Sequence, residues 1–460
     1  MATPGHRSSQ RVAPGPWTDQ LATALLLTML AFSIAGLLLP VAETGAGVFT
    51  WLAGAVLVGS LPRRQQIVAA ALLGVGVVSL GLAVVLGEHP DWRLTLAGNQ
   101  QLITLLVAVS FLRLAALPAG GSVGGGAFPE VTEPVRERPH GRSAVVRTMA
   151  LIHLLGAIIN VSIIEIVGDR LLDEGPSTRR ARLMLLSRSY SSGAFWSPFW
   201  GATAAAVTYA PHARFLVLLV VGGTAATIAL GVSSFTVVRA LGDSADHFVG
   251  FPMSRQTLLI PVVLTTAILA EHLALSEVSI PRLIAVTAPA LTVLVLVARH
   301  PRPAVPRLLL DHARTRLPMM HSEITLFLAA GAVAAGVSSL ARSGSWVPFH
   351  SFAAPEALVL LLVMVIASMA GIHPVIMIGI AAAFLQPLDP DPTLFAMTCL
   401  LAWGIQGAGG PLSGLNIILQ SRFGEDSFTI ARWNARYVLG LLGLAVGLLP
   451  LCQWLDGRVG

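Results

Sequence analysis

Apolar segments interrupted by glycine and small polar residues recur at matching places in the two halves of this 460-residue chain. In the first half, Gly156–Asn160 breaks one apolar run and Ser191–Pro198 breaks the next. In the second half, Ala370–Pro374 and Gln406–Pro411 do the same. Gly193 and Gly407 are 407 − 193 = 214 residues apart, and Asn160 falls on Pro374 at that same offset. A helix broken inside hydrocarbon frees backbone N–H and C=O groups that lipid cannot satisfy. Such breaks survive only where protein buries them or a cavity lies beside them. Paired breaks in two halves point to a binding site at the membrane midplane.

The rest of the chain is built for a bilayer. Hydrophobic residues make up 55% of it and charged residues only 11%, with a mean hydropathy of +0.77, whereas a soluble domain is about one quarter charged. At roughly 20 residues per span, the length accommodates about a dozen crossings in one membrane domain. Residues 1–20 are polar and lack a cleavage pattern, so they read as a cytoplasmic tail before a retained leading helix, 21–41. The net charge of +6 comes from arginine alone, since the chain has no lysine. These arginines sit mostly in short loops, which marks orientation in a membrane and argues against nucleic acid as a partner. Cys399 and Cys452 lie in apolar segments without metal-ligand spacing and read as small buried hydrophobes.

The arginines also decide the topology. Arg136, Arg138, Arg142 and Arg147 precede the apolar run 145–168, while Arg170, Arg179, Arg180 and Arg182 follow it. A single crossing there would send one cluster outward, against the positive-inside bias. A re-entrant hairpin with its turn near Gly156–Asn160 keeps both inside. The long run 355–387 then becomes a second hairpin, entering from the other side. The expected fold is an all-α polytopic membrane protein of about 11 transmembrane helices plus two re-entrant hairpins, with the N-terminus cytoplasmic. It divides into two inverted-topology repeats. Residues 45–240 hold hairpin 145–170 and broken helix 182–211; residues 256–454 hold hairpin 355–387 and broken helix 392–421. The Gly- and Pro-rich stretch 119–144 reads as a cytoplasmic loop, and 302–318 as a short interfacial helix between the halves.

An inverted repeat of five crossings, each with a hairpin followed by a broken helix, resembles the ion transporter superfamily, which includes divalent anion/sodium symporters, citrate carriers and arsenite efflux pumps. The second break, Gly409-Gly410-Pro411-Leu412-Ser413-Gly414-Leu415-Asn416, approximates the family's signature of small residues, proline and a later asparagine. The Ser-Asn-Thr hairpin tips of the anion symporters are absent. Asn160 and Ser162 stand at the first tip, and Ser368, His373 and Pro374 at the second. The resemblance implies a secondary transporter in a bacterial inner membrane, working by alternating access. It would move a small anion or organic acid with sodium or protons and assemble as a homodimer. An arsenite-type inorganic-ion efflux carrier, or the large permease subunit of a multi-component system, is the alternative.

The residues expected to hold substrate are Asn160, Ser162, Ser191, Ser192, Gly193, Ser197, His373, Gln406, Gly407, Ser413 and Asn416. Those expected to couple the ion are Asn160, Gly193, Gly407 and Glu165. No cofactor is expected beyond sodium ions. No Asp, Glu or Arg lies at a tip, and neutral tips suit sodium coordination by carbonyl and hydroxyl oxygens better than a midplane carboxylate. His373, before a proline, has the chemistry to bond substrate or a freed carbonyl. Arg188 stands poised between attracting an anion and snorkelling to the surface. An intramembrane enzyme would need a metal or nucleophile constellation, and His321-Ser322-Glu323 has no partner at metal spacing.

Overall fold

The structure is a computed structural model, which describes residues 16–90, 92–97, 99–116, 138–172, 176–251, 255–275, 277–343 and 349–459. The expected tail before residue 16 and most of the 119–144 loop lie outside them. Among the described residues every extended element is a helix, and one isolated β-bridge pairs His140 with Val249. The chain opens with α1 (Pro16–Ala35), α2 (Val41–Val58) and α3 (Arg63–Val85), followed by α4 (Trp92–Ala97), α5 (Gln100–Ser110) and α6 (Leu112–Ala116). A helix–turn–helix follows, α7 (Arg142–Ile159) and α8 (Ser162–Leu172). After it come α9 (Arg179–Ser191), α10 (Gly201–Tyr209) and the long α11 (Phe215–Leu241).

The second half repeats this order. It contains α12 (Arg255–Ala274), α13 (Ile280–Arg299), α14 (Val305–Arg316) and α15 (His321–Ser343), then the helix–turn–helix α16 (Ala354–Met369) and α17 (Pro374–Leu385). Last come α18 (Pro392–Gly409), α19 (Gly414–Phe423) and α20 (Ser427–Val459).

Nine helical runs among the described residues are long and apolar enough to cross a membrane. The chain is a multi-pass membrane protein. One continuous helix per crossing undercounts, because α9 with α10, and α18 with α19, are each an apolar run broken into two helices. The 20-residue helix α12, with the apolar stretch Pro261–Ala274, adds to them. Conversely α7, one of the nine, belongs to a hairpin. Its partner α8 has 11 residues, and at 1.5 Å per residue spans about 16 Å, roughly half the hydrocarbon thickness. The arms α16 and α17, with 16 and 12 residues, are also too short to cross.

Local chemistry sets each break. Asn160 ends α7 at φ 55° and ψ −143°, a conformation that glycine adopts freely and a residue with a Cβ only under strain. The second hairpin turns at Gly371, φ 98°, a conformation open to glycine. After α9 a 3-10 turn, Ser192–Phe195, gives way to extended backbone at Trp200, and Pro198 supplies no amide to continue a helix. After α18, Gly410 is extended and Pro411 follows, until Ser413 caps α19 by accepting from the Asn416 amide. The two broken helices cross where α18 carries Gly404, and a Cβ there would overlap the Phe195 ring.

The outer faces are apolar. On α3, Val75, Val77 and Val78 are exposed, as suits a helix turned toward lipid. An ion pair between Asp169 on α8 and Arg422 on α19, with Arg422 Nε 2.8 Å from Oδ1, ties the first hairpin to the second broken helix. Asn99, left-handed between α4 and α5, donates to the Phe327 carbonyl at 2.9 Å and accepts from Tyr209 at 3.2 Å. It thereby joins α5, α10 and α15.

Candidate functional site

The first hairpin is fastened to the first break by side chains that serve freed backbone. Trp200 Nε1 donates to the Gly156 carbonyl at 3.0 Å, and Ser197 Oγ donates to the Ala157 carbonyl at 2.5 Å. Tyr190 donates its hydroxyl to Asn160 Oδ1, fixing the tip from behind. Trp196 Nε1 donates to His153 Nε2 at 3.0 Å. An indole nitrogen can only donate, so Nε2 is unprotonated and Nδ1 carries the proton. His153 Nδ1 then donates to Ser192 Oγ at 2.8 Å, and the Ser192 hydroxyl donates to the Ser189 carbonyl at 2.9 Å. The aromatic bulk of this break is therefore hydrogen-bonded wall, and His153 and Ser192 are engaged with each other.

A cavity of about 200 Å³ opens directly in front of this tip. Asn160, Val161 and Ser162 form one wall; Arg113 of α6, His312 and Arg316 of α14, and Glu323 of α15 form the other. Arg113 donates to Ser162 Oγ at 3.1 Å. His312 leans on Phe111, ring centroids 5.0 Å apart. Arg316 is half-buried, and Glu323 is exposed to the cavity. Neither forms an ion pair among the described residues.

The neutrality of the tips is thus a property of their own segments. The fold delivers charge from α6, α14 and α15. Charged residues within or heading apolar runs were the signal in the sequence: Arg113 lies inside 97–118, and Glu323 heads 321–341.

Of the residues singled out from the sequence, Asn160 and Ser162 line this cavity. Ser191 and Gly407 meet where the breaks cross, and a Cβ at Gly407 would lie 3.0 Å from that of Ser191. The Gly193 carbonyl accepts from the Ser197 amide at 3.0 Å. Gln406 is buried at the same crossing. Ser413 and Asn416 serve the second break: Ser413 donates to the Gly407 carbonyl at 2.9 Å, and Asn416 Nδ2 to those of Ala408 and Gly410 at 3.1 and 2.9 Å. Among the described residues, the buried Asn416 Oδ1 has no partner. His373 lies at the other tip, where Nδ1 accepts from the Val375 amide at 3.3 Å and its ring stands edge-on to Trp403. The Glu165 side chain is outside the described residues.

Arg188 does not reach for the surface. It is buried, with Nε donating to Asn434 Oδ1 at 2.8 Å and Nη1 to Thr236 at 3.0 Å, and it lies over the Tyr437 ring. Asn434 relays that contact by donating to Ser187 Oγ at 3.1 Å and to the Ala408 carbonyl at 3.0 Å. The sequence placed Arg188 near the first break but gave no sign of Asn434, a lone asparagine in a long apolar helix. Among the described residues no cluster of three His, Cys, Asp or Glu could hold a metal ion.

No family model matches the chain, and no curated protein matches its sequence. Among solved structures it is similar to the YdaH transporter of Alcanivorax borkumensis, whose crystal structure is described as revealing an unusual topology. The identity is 15%, the overlap covers 85% of this chain and 98% of that one, and the TM-score is 0.46. A likeness this loose carries nothing about substrate or mechanism.

Proposed function

We propose that the protein is a secondary active transporter that moves a small organic acid by alternating access, driven by a sodium or proton gradient. The observation that carries this is the charged cavity of about 200 Å³ lying between a helical hairpin tip and α6, α14 and α15. A bilayer-embedded cavity is expensive to line with arginine and glutamate, and intramembrane charges of this kind mark substrate or ion pathways. Hairpin and broken-helix elements are bonded to one another across the breaks. That leaves the cavity wall opposite the tip as the surface past which they would slide. Two inverted repeats, a cytoplasmic N-terminus, an inner-membrane location and a homodimer complete the proposed picture.

The test is uptake into proteoliposomes containing the purified full-length chain. A panel of labelled small carboxylates is offered under an imposed sodium gradient, an imposed pH gradient, or neither. Accumulation that needs one gradient and disappears in Arg316→Ala supports the proposal. Accumulation unaffected by Arg316→Ala moves the site elsewhere, and no gradient-dependent uptake of any carboxylate removes the proposal.

A further inference from the structure

The cavity in front of the first hairpin presents both signs of charge. Arg316 and Glu323 face it from consecutive helices, joined by the short 3-10 turn Pro318–Met320, yet they form no ion pair with each other. Opposite charges in low dielectric attract strongly. A cation and an anion held apart around a space are therefore arranged for something between them. A simple anion would pair with the guanidinium but would bring a second negative charge beside Glu323. A molecule with a carboxylate at one end and an ammonium at the other would satisfy both. Asn160 and Ser162 add uncharged polar atoms on the hairpin side, where Arg113 already donates to Ser162. The volume of about 200 Å³ is below the roughly 300–1,000 Å³ of sites for drug-sized ligands. It suits a molecule the size of a single amino acid.

Resting on the transporter proposal for this same cavity, we infer that the substrate is a zwitterion of the amino-acid class. Its carboxylate pairs with Arg316, and its ammonium pairs with Glu323.

Matched pairs of probes test this, each pair differing only in the amine: L-aspartate against succinate, and L-alanine against propionate. Affinity for the purified full-length protein is read by calorimetry, and each compound is also offered in the uptake assay. At least one amino acid should bind on the order of a hundredfold more tightly than its des-amino partner, the scale on which a desolvated charge pair loses affinity when one member is removed. Glu323→Gln should collapse that ratio by weakening the amino acid alone, while Arg316→Gln should weaken both members. The wild-type comparison needs no variant, so it stands even if a substitution fails to fold.

Succinate or propionate binding as tightly as its amino partner overturns the inference. So does a Glu323→Gln protein that keeps full discrimination. If des-amino acids are taken up without preference, the transporter proposal survives and the zwitterion falls. If nothing binds and nothing is taken up, both fall.

Discussion

The two hairpin tips occupy matching places in the chain and are built from opposite materials. The first is polar and held from several sides. Tyr190, Ser197 and Trp200 bond Asn160, Ala157 and Gly156, and the tip faces a cavity with charges from three other helices. The second turns on Gly371 between exposed Met369 and Ile372; Ser368 is buried in the arm before the turn, and His373 caps its own helix. The two tips thus share a break in the chain while differing in the chemistry around it. The first tip is specified by its partners and the second by its backbone.

The largest effect expected from that contrast is on transport. Arg316→Ala should reduce uptake on the order of a hundredfold, because it removes a charge from the substrate cavity, whereas His373→Ala should change it only a few-fold. Initial rates in proteoliposomes decide this. Equal losses would mean that both tips hold substrate.

Stability should show the next largest difference. Asn160→Ala places alanine at φ 55° and discards the Tyr190 bond, so thermal unfolding should report a loss of about 2–4 kcal/mol, combining strain with a lost hydrogen bond. Gly371→Ala introduces strain at φ 98° and brings its Cβ to 2.8 Å from the Leu412 side chain, a flexible neighbour that can give way; it discards no hydrogen bond and should lose about 1–2 kcal/mol. Asn160→Gly relieves the strain but not the lost bond. Combined with Tyr190→Phe, it should therefore show a coupling of about 0.5–1.5 kcal/mol in a double-mutant cycle. A coupling near zero would show that Tyr190 does not hold the tip.

Much of this architecture was legible because its causes are local. Glycine, proline and small polar residues inside apolar runs mark breaks whatever surrounds them, and the structure puts breaks at 196–200 and 410–413. The offset of 214 fits the restart of the broken helices to within a residue, at Gly201 and Gly414. It drifts at the hairpins, where α8 begins at Ser162 and α17 at Pro374, because a turn of two residues and one of four reach the same end. The cavity was not legible in the same way. Arg113, Arg316 and Glu323 belong to three helices scattered along the sequence, and only packing brings them to Asn160. The roles of Ser413 and Asn416 were obscured for a related reason. Hydroxyls and amides beside a break can hold a ligand or repair the freed backbone. In this structure their donors go to the carbonyls of Gly407, Ala408 and Gly410.

The smallest prediction separates the two possible roles of His373. As an N-cap, its Nδ1 accepts the Val375 amide, a task asparagine performs at least as well. His373→Asn should hold stability within a few tenths of a kcal/mol of wild type, while His373→Ala should lose about 0.5–1 kcal/mol. Transport should follow stability in both variants, since the ring lies against Trp403 rather than in the cavity. If asparagine restores stability but not uptake, the imidazole itself meets the substrate. The second tip would then share in the site, and the contrast between the hairpins would reduce to one of charge.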